Sequence, residues 1–334
     1  MPAAIMKAIV AHRYGDPGAI RLEDVAMPAA VDDEVLVQVR AASLNAYDWG
    51  LLRGRPLLTR LFLGLRAPRA GRPGRDVAGS VVSVGRNVTR FKPGDDVFGL
   101  CRGSLTEYAC AKESYLAAKP ANVSFEDAAA IPLAGLTALQ GLRAGGMQPG
   151  DRVLINGATG GVGTFAVQIA ASLGADVTGV CGTRNVELVR SIGARRVLDY
   201  TREDYTRGAE RYELIFDLVM NHAFSASRRV LTPGGRIVAA GIGGADGRAF
   251  WSRIARTGTG ALISHFTRQK QVFFMAQVRQ DDLVTLGGLL ASRSVIPVIA
   301  SRHRLAEASE AFRRLAAGHA SGKIIVTIGD DAHA

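Results

Sequence analysis

The run Asn156-Gly157-Ala158-Thr159-Gly160-Gly161-Val162-Gly163 has the composition of a phosphate cradle. A backbone approaches a pyrophosphate closely only where no Cβ intervenes, which Gly160 allows, and Gly163 lets a following helix lie close against a sheet. The flanks supply both elements. Arg152-Val153-Leu154-Ile155 reads as a buried parallel strand, and Thr164 to Leu173 carries apolar residues at helical spacing until Gly174 stops it. A helix that starts there aims its N–H groups and positive dipole end at the phosphates. The first glycine of the G-x-G-x-x-G pattern is Ala158, so the motif is a variant. Gly157, Ala158, Thr159, Gly160, Gly161, Val162 and Gly163 are the candidate dinucleotide turn.

The next strand, Ala175 to Val180, tests which dinucleotide. In folds that prefer NAD, an acidic residue at the end of this strand takes the ribose 2′-hydroxyl. Here it runs into Cys181-Gly182-Thr183-Arg184-Asn185, with no acid. Arg184 places a planar, permanently charged fork where a 2′-phosphate would lie, and Thr183 adds a hydroxyl. The expected cofactor is NADPH. Tyr200, after Arg196-Val197-Leu198-Asp199, either flanks the adenosine or is an ordinary core or surface tyrosine.

The elements that must position these groups fall into two textures. Residues 6 to 125 are rich in short β runs and glycine turns, such as Glu34 to Arg40 and Val77 to Gly85. From about 126 strands alternate with helices, the signature of a doubly wound α/β unit. Its later strands include Leu214 to Val219 and Arg236 to Ala240, and Gln271 to Ala276 is expected as an edge strand that could pair across a homodimer. From Asp281 to Ile328 the pattern is helix, strand, helix, strand. The expected division is 1–125 with 277–334 as one discontinuous domain, and 126–276 as the other.

The 334 residues suffice for two domains with real cores. No apolar run approaches the roughly 18 residues of a membrane span, and the start, Met1 to Lys7, lacks a signal-peptide pattern. Three scattered cysteines, Cys101, Cys110 and Cys181, suit a reducing cytoplasm. The net charge of +11 comes mostly from arginine, since only six of the 41 basic residues are lysine. No zinc finger, RNA-recognition motif or basic heptad repeat accompanies it, so no nucleic-acid partner is expected. The arginines from Arg53 to Arg75, interleaved with leucines, read as a solvated loop with one buried face in preference to a membrane-surface segment.

With these motifs placed, the chain from about residue 6 to 328 resembles the medium-chain dehydrogenase/reductase superfamily, most closely its zinc-independent quinone oxidoreductase-like branch. The resemblance rests on Ala41-Ala42-Ser43-Leu44-Asn45-Ala46-Tyr47-Asp48-Trp49, Gly74-Arg75-Asp76-Val77-Ala78-Gly79, Lys92-Pro93-Gly94-Asp95, Ile131-Pro132-Leu133-Ala134-Gly135-Leu136-Thr137, the glycine turn, Leu231-Thr232-Pro233-Gly234-Gly235 and Ser321-Gly322-Lys323-Ile324. It implies a GroES-like β-barrel catalytic domain, split in sequence around a Rossmann domain, with the active site in the cleft between them. Relatives commonly have Gly where Met220 stands.

Zinc-dependent relatives carry a catalytic Cys where this chain has Asn45, and Gly-His-Glu where it has Gly74-Arg75-Asp76. An amide and a guanidinium cannot replace a thiolate and an imidazole at a tetrahedral zinc site, so no metal is expected. The six histidines show no ligand spacing. Without a Lewis acid, a conjugated carbonyl is the easier substrate, because a hydride added at its β-carbon spreads charge into an enolate. The expectation is NADPH-dependent reduction of quinones or α,β-unsaturated carbonyls. Asn45 is the candidate donor to nicotinamide, ribose or substrate oxygen, and Tyr47 either protonates the enolate or forms an aromatic pocket wall. Asp48 reads as loop support more than as an acid. By family position Thr137 lies near the nicotinamide and Gly241 lets backbone meet its amide. Lys323 either reaches the cofactor or is a strand-end lysine in solvent. Three other readings remain: an NADPH-binding regulatory protein with little turnover, a basic nucleic-acid binder, and a metal-dependent alcohol dehydrogenase.

Overall fold

A computed structural model describes residues 4–55, 60–65, 67–68, 71–240, 267–318 and 320–329. Gly241 and three of the six histidines, His265, His319 and His333, lie outside these. The chain divides into two compact units, one of residues 1–133, 278–293 and 299–334, the other of residues 134–277 and 294–298. Residues 126–133 therefore belong to the first unit. The helix Phe125–Ala130 packs on that unit's strands, and the Leu133 N–H donates to Asp76 there at 2.9 Å.

The first unit begins with a hairpin of β1 (Ile5–Ala11) and β2 (Ile20–Ala26). Its main sheet is built on β3 (Glu34–Leu44), an eleven-residue strand whose apolar residues face inward along most of its length. β4 (Asp76–Val84) runs antiparallel along one side of β3, with two register shifts. β5 (Asp96–Leu100) pairs with β4, and β6 (Tyr108–Lys112) pairs with the first half of β3. β7 (Leu116–Ala118) closes the far side of β5. The helix α1 (Ala46–Arg53) follows β3 directly and ends at Gly54, whose φ of 56° is the left-handed cap that glycine adopts without strain. Val35, Val37, Val39, Leu44, Val77, Val97, Leu105 and Phe312 form the core of this antiparallel sheet, the GroES-like half of the fold.

Among the described residues the second unit holds a six-stranded, all-parallel sheet. Its strands are β8 (Arg152–Asn156), β9 (Asp176–Cys181), β10 (Arg196–Asp199), β11 (Tyr212–Asp217), β12 (Leu231–Ala239) and β13 (Lys270–Phe273). They lie in the order β10-β9-β8-β11-β12-β13, which is the Rossmann order 3-2-1-4-5-6. Val153, Leu154 and Ile155 are fully buried, as a strand covered on both faces must be. The helix after β8 (Gly161–Ser172) is buried from Gly163 through Gln168 to Ala170, so it lies deep against the sheet. β12 begins at Leu231, five residues before the expected start, because Leu231 pairs with Tyr212 ahead of a register shift. β13 ends at Phe273, short of Ala276, and among the described residues it is the edge strand.

The chain returns to the first unit through the helix Gln280–Ala291, then β14 (Ile299–Arg304), the helix Ala308–Ala316 and β15 (Lys323–Thr327), as the alternating tail predicts. β15 joins the free half of β3 antiparallel, with Ile324 opposite Leu44 and Ile325 opposite Ser43.

Candidate functional site

In the first unit the register of three strands gathers a buried polar cluster. Ser43 and Asn45 are two residues apart and so share a face of the extended chain. Asp76 on β4 stands opposite Ser43. Lys323 is one residue short of Ile324, the partner of Leu44, which brings it beside Asn45. The result is a closed network. Asp76, with no exposure, accepts at Oδ2 from the Ser43 hydroxyl at 2.6 Å, from Asn45 Nδ2 at 2.9 Å and from Lys323 Nζ at 3.2 Å, and at Oδ1 from the Leu133 N–H at 2.9 Å. Lys323, only 2% exposed, also donates to Asn45 Oδ1 at 2.6 Å. It is thus a buried cation in an ion pair, and its alternative reading as a solvated strand-end lysine is excluded.

This network fixes the Asn45 amide by chemistry. An ammonium can only donate and an ionised carboxylate can only accept, so Oδ1 must face Lys323 and Nδ2 must face Asp76. The second Nδ2 hydrogen has no acceptor among the described residues, and Asn45 is only half-buried. Asn45 precedes α1, and Asp48, three residues on, accepts its backbone N–H at 2.9 Å. Tyr47, on the first turn, is 45% exposed, and the Arg75 guanidinium lies 5.7 Å from its ring centre. Burial and the neighbouring Asp76 carboxylate push the Asp48 carboxyl up to about 7, while the Asn45 N–H, Lys323 and Arg75 pull it back.

In the second unit the candidate groups collect at the carboxyl ends of the strands, where the strand order reverses between β8 and β11. Gly157 has a φ of 92°, and its N–H and that of Ala158 bond to the Val180 carbonyl, which ties the turn to β9. A Cβ on Gly163 would stand 2.0 Å from the Gly157 oxygen, so only glycine closes the turn. A Cβ on Gly160 would meet nothing nearer than that oxygen at 3.6 Å. The space above Gly160 is open, and no side chain caps the helix N-terminus there. This is the cradle a pyrophosphate requires. Thr159, Gly161 and Val162 complete the rim, half-buried.

Beside the turn, Arg184 is exposed and has no partner among the described residues. The Thr183 hydroxyl donates to Asp199 at 2.6 Å, and Thr201 gives that carboxylate its N–H and hydroxyl at 3.0 and 2.8 Å. These bonds, the Thr183 donation above all, hold Asp199 below the usual carboxylate range. Tyr200 is 65% exposed, with its hydroxyl 3.1 Å from where a Cβ on Gly182 would stand, so its ring lies against glycine backbone next to Arg184. Thr137 lies half-buried on the helix Pro132–Ala144.

Sequence reasoning did not single out Asp76, Ser43, Asn156 or Asp217. Asn156 donates to Asp217 at 2.8 Å and to Asn221 at 2.9 Å, and Asp217 also accepts from the Val219 and Met220 N–H groups. That bracket holds Met220 in a left-handed conformation, φ 55°. A polar residue at the end of an apolar strand was the available signal in each case. No group of three or more histidine, cysteine or acidic side chains is placed to hold a metal among the described residues.

Two family models match this chain: the alcohol dehydrogenase GroES-like domain over residues 31–121 and zinc-binding dehydrogenase over residues 192–326. A quinone-oxidoreductase homolog of the chloroplast of Spinacia oleracea is 33% identical, over 98% of this chain and 99% of that protein. An NADPH-dependent alkenal/one oxidoreductase of the Arabidopsis thaliana chloroplast is 32% identical, over 96% of this chain and 79% of that protein. Among solved structures, the quinone oxidoreductase from Coxiella burnetii superposes with a TM-score of 0.83 at 29% identity, covering 98% of this chain and all of that one. The glycine cradle, the Rossmann strand order and these likenesses end to end agree: the chain belongs to the quinone oxidoreductase-like branch of the medium-chain dehydrogenase/reductase superfamily.

Proposed function

We propose that this protein is an NADPH-dependent oxidoreductase that reduces quinones or α,β-unsaturated carbonyls without a metal. The observation that carries the reading is the Asn45 amide, locked by Lys323 and Asp76 with one N–H that no described residue accepts. A preorganised donor aimed at an oxygen that gains charge is the main requirement of enone reduction. The names of two relatives, a quinone-oxidoreductase homolog and an NADPH-dependent alkenal/one oxidoreductase, point to the same substrates.

The residues fit the dinucleotide. Gly157, Ala158, Thr159, Gly160, Gly161, Val162 and Gly163 would hold the pyrophosphate, Arg184 the 2′-phosphate, and Tyr200 the adenosine. Thr183 acts through Asp199, whose carboxylate it occupies and so keeps from the ribose. Thr137 and Gly241 would meet the nicotinamide. When bound, NADPH supplies a hydride to the β-carbon of the substrate. The substrate π electrons move to its oxygen, where Asn45 donates a hydrogen bond. A proton then goes to the α-carbon, from the Tyr47 hydroxyl or from water. Lys323 holds Asn45 in place and keeps a positive charge behind it.

The zinc of the second family model's name does not fit these residues. The side chains at the ligand positions of metal-dependent relatives are Asn45 and Arg75, and Asn45 Oδ1 already accepts from the Lys323 ammonium. Among the described residues β13 is an edge strand, with its last residue Phe273 and the following Met275 exposed, which supports a homodimer formed by continuation of the sheet. No described helix is long and apolar enough to cross a membrane. Three free cysteines suit a reducing compartment such as the cytoplasm, although the two relatives above are chloroplastic.

The test is Asn45→Ala, assayed with NADPH and an enone. Loss of one such donor lowers kcat by about 10²- to 10³-fold while NADPH binding is kept. Unchanged kcat would refute the assignment.

A further inference from the structure

The buried cluster holds two carboxyls and gives them unequal company. Asp76 accepts four hydrogen bonds, one of them from the Lys323 ammonium. Asp48, equally buried, accepts one, from the Asn45 N–H at Oδ2, and its Oδ1 has no partner among the described residues. A buried charge with an orphaned oxygen and a second carboxylate nearby binds a proton in preference to remaining ionised. The two carboxyls divide accordingly: Asp76 pairs with Lys323, and Asp48 is the one that burial pushes toward its protonated form.

From this geometry we infer that Asp48 is a positioning residue that must carry its proton for turnover. Its ionisation places an unbalanced negative charge beside the Asn45 amide and draws Lys323 away from it. An oxygen that gains negative charge is then held less well. The inference rests on Asn45 being the donor to that oxygen. Among the described residues, the charged groups acting on Asp48 are Asp76 at the start of β4, Arg75 just before it, and Lys323 on β15. The helix Ala308–Ala316, which packs beside α1, turns Ala308, Ala311 and Phe312 inward and so offers no charge from its buried side. Burial pushes the Asp48 carboxyl up to about 7, within the working range of an enzyme.

The experiment measures kcat against pH, from about 6 to about 9, for the unaltered enzyme and for Asp48→Asn with NADPH and an enone at saturation. The unaltered enzyme loses activity above about pH 7, by about tenfold per unit at the limit. Asp48→Asn, which cannot ionise, shows a flat profile at the level the unaltered enzyme has near pH 6. The same falling limb in Asp48→Asn overturns the inference. Should that variant not fold, infrared spectroscopy of Asp217→Asn, which removes the other carboxyl raised by burial among the described residues, reports on Asp48 directly. An acid carbonyl band that fades as pH passes about 7 supports the inference, and its absence near pH 6 overturns it. Asn45→Ala in the same assay separates the two ideas. Full activity there defeats the donor reading, whereas an inactive Asn45→Ala beside an unchanged limb in Asp48→Asn defeats only the role of Asp48.

Discussion

Lys323→Met removes one ammonium and keeps a long, unbranched side chain in its place, so it isolates the charge. The structure sets the size of the effect. The Nζ to Asp76 distance is 3.2 Å, and at an effective dielectric of about 20 the attraction is about 5 kcal/mol. Breaking one side of a buried pair costs about 3–5 kcal/mol, because the remaining charge stays out of water. Asp76 retains three donors, from Ser43, Asn45 and Leu133, which places the loss near the lower end, about 3 kcal/mol. Asn45 Oδ1 also loses its 2.6 Å partner, so the amide is free to turn. Urea unfolding should show a lower midpoint at an unchanged slope. Kinetics should show a lower kcat with little change in the KM for NADPH. The double variant Lys323→Met with Asp76→Asn should be less destabilised than the sum of the single changes, since the second removes the charge the first strands. A loss below about 1 kcal/mol, or strict additivity, would refute the idea that this pair organises the site.

Gly163→Ala and Gly160→Ala should separate fold from binding. A Cβ at 163 meets the Gly157 oxygen at 2.0 Å, so that variant loses about 1–3 kcal/mol of stability together with NADPH affinity. Gly160→Ala should unfold near the unaltered midpoint yet bind NADPH weakly, and normal binding would sink the cradle assignment. At Met220, φ 55°, glycine should be better than alanine by about 1 kcal/mol, the reverse of the usual order, because both lose the buried side chain but only glycine relaxes the backbone. Thermal unfolding of the two variants decides it, and a more stable alanine variant would contradict the assigned conformation. Asp48 also makes stability depend on pH. Below its unfolded value of 3.8 both states hold the proton, but between there and about 7 only the folded state does. Its contribution therefore falls as pH rises through that window, by about 1.4 kcal/mol per unit and at most about 4 kcal/mol in all, and levels off above it. Urea midpoints of Asp48→Asn relative to the unaltered protein should rise from pH 5 to pH 7, and a constant difference would rule the linkage out.

The glycine turn was legible because all its determinants are local. Strand, turn and helix lie within some twenty consecutive residues, and the absence of an acid after β9 is a fact about neighbours. The alternating tail was legible for the same reason, and the observed helix, strand, helix, strand from Gln280 to Thr327 follows it. The network around Asn45 was not. Its members are separated by 31 residues to Asp76 and 278 to Lys323, and only the pairing register of β3 with β4 and β15 brings them together. The one trace in sequence is a charge at the head of an apolar strand, Asp76 before Val77-Ala78 and Lys323 before Ile324-Ile325-Val326. Such a residue reads equally well as a solvated strand end until its neighbours are known. Asp48 shows a related blindness. Its bond to the Asn45 N–H matches the loop support expected of it, but the stranded Oδ1 and the nearby Asp76 are matters of burial, which spacing does not report.

The central claim, metal-free reduction driven by NADPH, is tested most directly by following the absorbance of the reduced nicotinamide on adding a quinone or a simple enone to purified protein with excess chelator. The account predicts oxidation of NADPH well above that of NADH at the same concentration, unaffected by chelator. Activity lost with chelator and restored by zinc, or NADPH binding with no turnover across a broad panel of both substrate classes, would contradict it.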